Sequence, residues 1–493
     1  MVQKQHCDVI VIGGGSAAFE SAVAVRQNGA GNVVMLEKAP VEQSGGNARF
    51  SHTGFRFVNT GHTEIRDFIP DVPQDLYDTM QMPAYTRDDL VDDLNRVTQG
   101  RIDQTLAAHM ADKSNEALHW MLECGIKWAP EKTHLIDGKR YFEPGMYLHP
   151  KGGGPGQLRM WTEIAKSMGI DIRYRSKVVQ LLGDYRRIEG VRVITPDAEY
   201  ELMARSVIVC SGGFQANPEM RARYLGNNTD FVKVRGNRHN TGEVLRMMLD
   251  LGAKAAGHWQ GAHMSPIDAG APAVETPVAA DGTGNQMNRY DYQLGITVNS
   301  QGVRFFDEGE ASHAYTYAKT GRAILAQPGG VAYQIYDRKG IDMFHFNNNG
   351  AATFVEANTL EELARKIGVN PVVFADTVTK YNAAVVGDKP FNKGILDGRG
   401  TRGLEINKTN WANKIDEAPY QAFPVTCGIT FTFGGVQINT NSQVLNTEGE
   451  PIRGMYASGD VVGLFFHNYP SCTGQTRNVV FSLAAGRHAG TAN

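Results

Sequence analysis

The chain has 493 residues, of which 42% are hydrophobic and 20% are charged, and its formal net charge is −3 at pH 7. That length exceeds what one hydrophobic core usually supports, so we expect at least two domains. The nearly balanced charge argues against nucleic acid or an anionic membrane surface as a partner. No apolar run reaches the roughly 18 residues that would predict a transmembrane helix.

The N-terminus and the cysteines bear on the cellular compartment. Residues 1–6 run directly into a predicted strand, without the basic and apolar regions of a secretory signal. The five cysteines are scattered and lack CxxC spacing, and they are Cys7, Cys124, Cys210, Cys427 and Cys472. Because such a set is typical of a reducing compartment, we expect a cytoplasmic protein with no disulfide framework and no metal site.

The predicted elements begin with a strand at 8–12, a helix at 16–27 and a strand at 33–36. The first strand is a β-branched run typical of a buried parallel strand, and the three elements form one βαβ unit. The segments predicted further along are two helices within 86–124, a helix at 157–169, strands within 171–194, a strand at 207–210, helices at 242–252, 359–367 and 371–386, an irregular stretch at 387–419, a strand at 454–458 and a helix at 474–489.

The composition of the chain changes between about residues 255 and 425, where Asn, Gly and Tyr become more frequent and the predicted helices and strands become shorter. The C-terminal residues then return to strand–turn–helix patterning. We therefore predict an α/β fold with a Rossmann-like nucleotide-binding domain formed by residues 1–254 and 425–493. An inserted α+β domain at 255–424 is predicted to close over the site.

The motif Gly13-x-Gly15-x-x-Ala18 directly follows the first strand and opens the first helix. Gly13 permits the tight turn, Gly15 lets backbone N–H groups approach a pyrophosphate, and Ala18 keeps the helix close to the strand. Glu37, 19 residues after Ala18, ends the next strand, where a carboxylate can accept hydrogen bonds from a ribose. Together these features predict a dinucleotide site and disfavour NADP, whose 2′-phosphate the acid would repel.

A second turn favours FAD over NAD. Gly459-Asp460 follows the strand predicted at 454–458 and precedes the helix predicted at 474–489. In flavoproteins such a turn places its carboxylate on the ribityl hydroxyls and directs the helix N-terminus at flavin or phosphate oxygens. Taken with the first motif, this turn predicts FAD as the cofactor.

Beyond these motifs, the chain resembles the fumarate reductase/succinate dehydrogenase flavoprotein superfamily over nearly its whole length. The markers of that family lie at residues 45–47, 207–214, 240–243, 302–308 and 433–436. Within the family it most resembles the tricarballylate dehydrogenase-like branch, on GGNARF at 45–50, WQGAH at 259–263, TYAKTGRAIL at 316–325, PVTCGITFTFGG at 424–435 and HNYP at 467–470. The FAD contacts that the motifs and the resemblance together predict are Gly13, Gly15, Ser16, Ala17, Ala18, Glu37, Lys38, Gly45, Gly46, Asn47, Val178, Ser211, Gly212, Gly213, Asn240, Gly459, Asp460 and Gly474.

The chain departs from the family at four positions that matter for chemistry. Fumarate reductases carry an acid-delivering Arg where this chain has Ser312, and a substrate-binding His where it has Phe431. Their second carboxylate-clamping Arg corresponds to Tyr469. The covalent flavin histidine of membrane-bound relatives corresponds to Asn47, which implies non-covalent FAD.

Five residues are candidates for the catalytic site. Tyr469, followed by Pro470 as in ketosteroid dehydrogenases, is expected to stabilise a substrate oxyanion or to act as a base. His263 is expected to bind a substrate carboxylate. Arg477 would either clamp a carboxylate or pair with Asp460. The remaining candidates are His313, a possible acid or base in place of the missing Arg, and His467, which would line the site or cap a turn.

The resemblance implies an FAD-dependent dehydrogenase that desaturates a CH–CH bond next to a carboxylate or carbonyl of a small, tricarballylate-like (poly)carboxylate. Proton abstraction and hydride transfer to flavin N5 would accomplish this. Since no second nucleotide motif is found, we expect the electrons to leave to a separate acceptor protein, a quinone or O₂. The open alternatives are reduction of an enoate, desaturation of a ring ketone as in ketosteroid dehydrogenases, and an electron-carrying flavoprotein subunit.

Overall fold

The structure is a computed structural model that describes residues 3–131, 133–279, 284–345, 347 and 350–491. In chain order the helices are α1 (Ser16–Gln27), α2 (His62–Phe68), α3 (Gln74–Tyr77), α4 (Arg87–Thr98), α5 (Gln104–Glu123), α6 (Gly153–Ser167), α7 (Pro218–Leu225), α8 (Glu243–Asp250), α9 (His313–Leu325), α10 (Arg338–Ile341), α11 (Leu360–Lys366), α12 (Pro371–Ala384) and α13 (Thr473–Thr491).

The strands are β1 (Gln3–His6), β2 (Val9–Ile12), β3 (Val33–Leu36), β4 (Met80–Gln81), β5 (Trp128–Pro130), β6 (His134–Ile136), β7 (Lys139–Tyr141), β8 (Leu148–Pro150), β9 (Asp171–Arg173), β10 (Lys177–Asp184), β11 (Arg187–Ile194), β12 (Glu199–Met203), β13 (Ser206–Val209), β14 (Lys233–Val234), β15 (Ala255–Ala256), β16 (Ala262–Asp268), β17 (Ile296–Asn299), β18 (Val331–Tyr336), β19 (Val355–Ala357), β20 (Tyr420–Thr432), β21 (Gly435–Val436), β22 (Gln443–Leu445) and β23 (Pro451–Ala457).

The larger sheet contains the predicted βαβ unit near one end of its strand order. Its main path runs β1-β12-β11-β23-β13-β2-β3-β9, and β2 pairs in parallel with both β3 and β13. Every residue of β2, β3 and β13 is buried, as their β-branched sequences predict for strands covered on both faces. The parallel order brings the carboxyl ends of these strands to one edge, where ligands of open α/β sheets bind.

The first and last long helices pack against each other over this sheet. Glycines on α13 permit the close approach, because a Cβ at Gly486 would lie 2.3 Å from the Cβ of Ala24 on α1. A Cβ at Gly490 would likewise lie 2.9 Å from the Cβ of Asn28. This packing joins the N-terminal unit to the C-terminal helix and places the starts of both helices near the same sheet edge.

The second sheet is built on the 13-residue strand β20, which pairs with β14, β16, β18 and β19, and β17 completes it. Both β14 and part of β20 lie outside 255–424, so this sheet draws strands from the flanking segments. An ion pair steadies it, because Arg304 lies 2.6 Å from Glu308, which also accepts a hydrogen bond from the backbone of Thr297. The predicted α/β class with an inserted α+β region is confirmed, while the boundaries at 254 and 424 stay a prediction.

The predicted segments agree with the structure in type. The helix at 16–27 and the strand at 33–36 also agree in their bounds, while most of the others differ at their ends. The helix predicted at 157–169 begins earlier, at Gly153, because residues 152–156 of the glycine-rich run take the first helical turn. The helix predicted at 242–252 is the shorter α8, after which Gly252 has a φ of 103°. In the described part of the chain, residues 387–419 contain neither helix nor strand, as predicted. No helix among the described residues is both long and apolar enough to cross a bilayer.

Candidate active site

A large cavity lies at the carboxyl edge of the parallel strands and continues to the second sheet. We call its two regions the nucleotide part and the aromatic part. The nucleotide part is lined by the turn after β2, the end of β3 and the loop after β13, with residues 13–17, 37–38 and 210–212. The aromatic part is lined by His263, Tyr290, Tyr317, Phe431 and Tyr469.

The turn after β2 requires its glycines. Gly13 has a φ of 130°, and a Cβ there would lie 2.4 Å from the carbonyl oxygen of Cys210. A Cβ at Gly14 would lie 2.5 Å from Oε2 of Glu37. The backbone therefore runs unobstructed along the cavity and delivers the first N–H groups of α1 to it, which is the geometry that binds pyrophosphate.

Glu37 lies at the end of β3 with 8% of its surface exposed. Its Oε1 accepts a hydrogen bond of 2.7 Å from the backbone N–H of Ala39. Burial raises the pKa of the carboxyl group, and the hydrogen bond from Ala39 opposes that rise. The backbone thus holds the carboxylate at the cavity wall, in the position predicted for the ribose contact.

Lys38 and Asn47 are held by other segments of the chain. Lys38 donates to Oε2 of Glu243 at 2.7 Å, and although burial opposes it, this bond helps to lower the pKa of Glu243 to about 2. Asn47 donates to the backbone oxygen of Thr430 at 2.7 Å, and its own oxygen accepts from the N–H of Asn237. The amide of Asn47 therefore ties the glycine turn at 45–46 to β20.

Asp460 and Arg477 form an ion pair at the start of α13. Arg477 is 1% exposed, does not line the cavity, and its guanidinium lies 5.6 Å from the ring centroid of Phe431 and 5.2 Å from that of Phe465. Of the two roles expected for Arg477, the geometry supports the pairing with Asp460. Of the predicted FAD contacts, all line the cavity except Ala18, Gly45 and Gly213.

Two phenols meet in the aromatic part. The hydroxyl groups of Tyr317 and Tyr469 lie 2.5 Å apart, and the hydroxyl of Tyr469 lies 3.4 Å from Nδ1 of His263. All three side chains are buried. The sequence predicted catalytic roles for Tyr469 and His263 but none for Tyr317. Tyr317 lies one helical turn after His313 on α9, so the two residues share one face of that helix.

One ring nitrogen of His263, the buried Nε2, has no hydrogen-bond partner among the described residues. Burial, and next the charge of Arg235, hold the pKa of this imidazole well below its usual value. At neutral pH the ring is therefore uncharged.

His313 lines the cavity at the N-terminus of α9. Its Nδ1 lies 4.0 Å from Oε1 of Glu143, and 18% of its side chain is exposed. Ser312, at the position of the reductases' Arg, caps α9 and donates its hydroxyl to Glu143. Sequence analysis missed Glu143, which comes from the loop after β7 and carries no local motif.

His467 does not line the cavity. Its side chain is exposed, its backbone has a φ of 57°, and its N–H donates to Nδ1 of His258 at 3.1 Å. Of the two roles expected for it, this position supports the structural one in a turn. Sequence analysis also missed Arg235, which lines the cavity immediately after β14.

The donor set fits a bound dinucleotide with a flavin. The glycine turn and the N-terminus of α1 suit a pyrophosphate, the carboxylate of Glu37 suits a ribose, and the turn at Gly459 lies at the start of α13. The cavity continues past these groups to the aromatic part, where a substrate would face the flavin. These residues would hold FAD.

Comparisons with known proteins agree with this site. The model of the FAD binding domain family matches residues 8–475. The probable fumarate reductase Ifc3 of Shewanella frigidimarina (strain NCIMB 400) is 28% identical over 504 residues, which cover 99% of this chain and 75% of that protein. The 4-oxocyclohex-2-ene-1-carboxylate 5-dehydrogenase of Sinomonas cyclohexanicum is 26% identical over 389 residues, which cover 71% of this chain and 62% of that protein.

Among solved structures, the chain is similar to the open conformation of a flavocytochrome c3 fumarate reductase. The TM-score is 0.73 at 26% identity, and the match covers 99% of this chain and 78% of that chain. The family match and this fold establish FAD as the cofactor.

Proposed function

The chain belongs to the FAD binding domain family of flavoprotein oxidoreductases, in the fumarate reductase/succinate dehydrogenase flavoprotein superfamily, and we propose that it desaturates a CH–CH bond of a small organic acid. The bond lies next to a carboxylate or carbonyl group. When bound, FAD supplies the acceptor for the two electrons and one of the hydrogens that leave the substrate. The aromatic part binds the substrate, stabilises its developing charge and removes the proton.

The observation that carries this proposal is the pair of phenols beside His263. Burial raises the pKa of Tyr317 and of Tyr469, so both phenols keep their protons at neutral pH and act as hydrogen-bond donors. A substrate oxygen gains negative charge as the neighbouring C–H loses its proton. Preorganised donors in a dry site stabilise such an oxygen strongly, so the pair suits loss of an α-proton.

His313 is the proposed proton acceptor. Its Nδ1 lies 4.0 Å from Oε1 of Glu143, and its partial exposure lets the proton pass on to solvent. His263 is the poorer base, because burial and Arg235 oppose its protonation. His263 instead binds a substrate oxygen through Nε2.

A small (poly)carboxylate similar to tricarballylate is the proposed substrate. Desaturation is favoured over reduction of an enoate because Ser312 occupies the place of the acid-delivering Arg. Ring-ketone desaturation is the second candidate, which the aromatic lining and the pair Tyr469-Pro470 favour. We further propose a cytoplasmic location and a separate acceptor protein, a quinone or O₂ for the electrons.

Product analysis tests this proposal. The holoenzyme is incubated with an artificial electron acceptor and a panel of polycarboxylates and cyclic ketones, some deuterated at the carbon next to the carboxylate or carbonyl. We expect a product two hydrogens lighter that has lost the α-deuterium. A panel without any unsaturated product, while enoates are reduced by the same preparation, would contradict the proposed direction.

A further inference from the structure

Arg235 lies beside the aromatic part, and its charge has no acidic partner among the residues that the structure describes. It follows β14 and lines the cavity. Its Nε donates to Oδ1 of Asn288 at 2.7 Å, and its Nη1 donates to Oγ1 of Thr430 at 2.7 Å. Both acceptors are neutral, so they fix the guanidinium in place without compensating its charge. Nη2 has no hydrogen bond to any described residue.

The buried arginines among the described residues either pair with a carboxylate or have every guanidinium nitrogen hydrogen-bonded. Arg56, Arg289, Arg304 and Arg477 each pair with a carboxylate. Arg221 has no such pair, but all three of its nitrogens donate to backbone oxygens. No carboxylate oxygen of the described residues lies within the 4.0 Å of an ion pair with Arg235. A partly buried cation with spare donors and no counter-charge is costly unless a ligand supplies the anion.

The position of Arg235 relates it to the substrate region. Its charge acts on His263, Tyr290 and Tyr469, which all line the aromatic part. A guanidinium has five N–H donors in a planar fork, and only two of those of Arg235 are used inside the protein. The remaining donors match a carboxylate, and a ligand bound there would reach toward the free Nε2 of His263.

We propose that Arg235 binds a carboxylate of the substrate and restricts the site to anionic substrates, an inference that rests on the proposed function. The substrate then has two oxygen functions: a carboxylate held by Arg235 and a carbonyl or second carboxylate at Tyr469 and Tyr317. This chemistry describes a polycarboxylate or an oxo-carboxylate. A neutral ketone lacks the first anchor and binds weakly.

Ligand binding tests this inference without turnover. The FAD-loaded enzyme is titrated with cyclohexanecarboxylate, succinate and propane-1,2,3-tricarboxylate, and with their amides, while the flavin absorbance reports occupancy. Arg235→Gln removes the charge, Arg235→Lys keeps it, and Arg322→Gln is the matched control. Arg322 also has no acidic partner in the described part of the chain, but it donates to the backbone oxygens of Leu225 and Gln260 and does not line the cavity.

We expect Arg235→Gln to weaken carboxylate binding by roughly 10- to 100-fold, as loss of a charge-assisted hydrogen bond does. Binding of the amides should change less than about threefold, and Arg235→Lys should recover part of the carboxylate affinity. Arg322→Gln should match the wild type. Carboxylates that leave the wild-type spectrum unchanged, carboxylates and amides weakened equally, or loss of FAD from Arg235→Gln would each overturn the inference. Carboxylate binding that depends on Arg235 without flavin reduction by any acid would retain the inference and reject the proposed reaction.

Discussion

At the scale of single residues, Tyr469 carries the strongest prediction. Its hydroxyl group contacts the hydroxyl of Tyr317 and the imidazole of His263, and burial keeps the phenol protonated. We expect Tyr469→Phe to retain FAD and fold but to slow anaerobic flavin reduction by about 10²–10³-fold, the usual cost of one oxyanion donor. Stopped-flow measurement should assign the loss mainly to the reduction rate constant and less to substrate Kd.

Tyr381→Phe is the matched control for that substitution. Tyr381 is a buried tyrosine of the second sheet's core and does not line the cavity. Flavin reduction in this variant should stay close to that of the wild type. If the flavin reduction rate of Tyr469→Phe also lies within about threefold of the wild-type rate, Tyr469 contributes only to packing, and the proposed role of the phenol pair is wrong.

His263 predicts a pH dependence of stability. Its pKa in the folded protein lies well below the ~6.5 of an unfolded chain, mainly through burial. The unfolded state therefore binds more protons below that pH, so this residue lowers stability as pH falls through about 6.5. Thermal unfolding of wild type and His263→Gln at pH 7.5 and 5.5 should show the larger decrease in Tm for the wild type. Equal decreases would contradict the buried, neutral imidazole.

Which of these residues the sequence predicts depends on whether they carry a local signal. Gly13 and Glu37 follow strands in a known spacing, and His263 and Tyr469 lie in stretches that resemble the family. Tyr317 also lies in such a stretch, at 316–325, but nothing in that stretch marks its phenol for a role. Arg235 and Glu143 lack a local signal, because only the packing of β14 and of the loop after β7 brings their side chains to the cavity. For Arg477 the sequence left two roles open, a carboxylate clamp or a pair with Asp460, and the structure shows the ion pair with Asp460.

At the scale of elements, the turn between β2 and α1 can be tested by adding one methyl group. In Gly13→Ala the new Cβ would lie 2.4 Å from the carbonyl oxygen of Cys210 at a φ of 130°. We expect this variant to lose most of its FAD, as the ratio of flavin to protein absorbance would show. Gly29→Ala is the control, because Gly29 has a φ of 102° but open space around its Cβ, so it should keep its FAD. Equal FAD content in the two variants would argue against this turn as the pyrophosphate cradle.

Secondary structure was largely predictable because the hydrophobic periods of the central strands and helices are strong. The residues at which elements start were harder to predict. Helix α6, for example, begins within a run of glycines, which can start a helix where α6 packs beside Ala48. The pairing of β14 with β20 could not be predicted, since a two-residue strand has no periodicity and joins distant parts of the chain.

At the scale of the whole molecule, the cavity is lined by segments from residue 12 to residue 478 and would hold one cofactor. Asn47 stands at the position of the attachment histidine and uses its amide to bind Thr430 and Asn237. We therefore expect acid or heat to release all the yellow cofactor into the supernatant. Flavin absorbance retained in the washed precipitate would contradict non-covalent binding.

The central claim is that an anionic substrate loses an α-proton and two electrons in this cavity. The most direct measurement is an anaerobic titration of the FAD-loaded enzyme with polycarboxylates, oxo-carboxylates and cyclic ketones, followed at the flavin absorbance band. We expect at least one carboxylate to bleach the flavin completely, in proportion to the enzyme present, and Tyr469→Phe to slow this bleaching. Flavin that stays oxidised with every compound, or that only dithionite reduces and enoates then reoxidise, would contradict it.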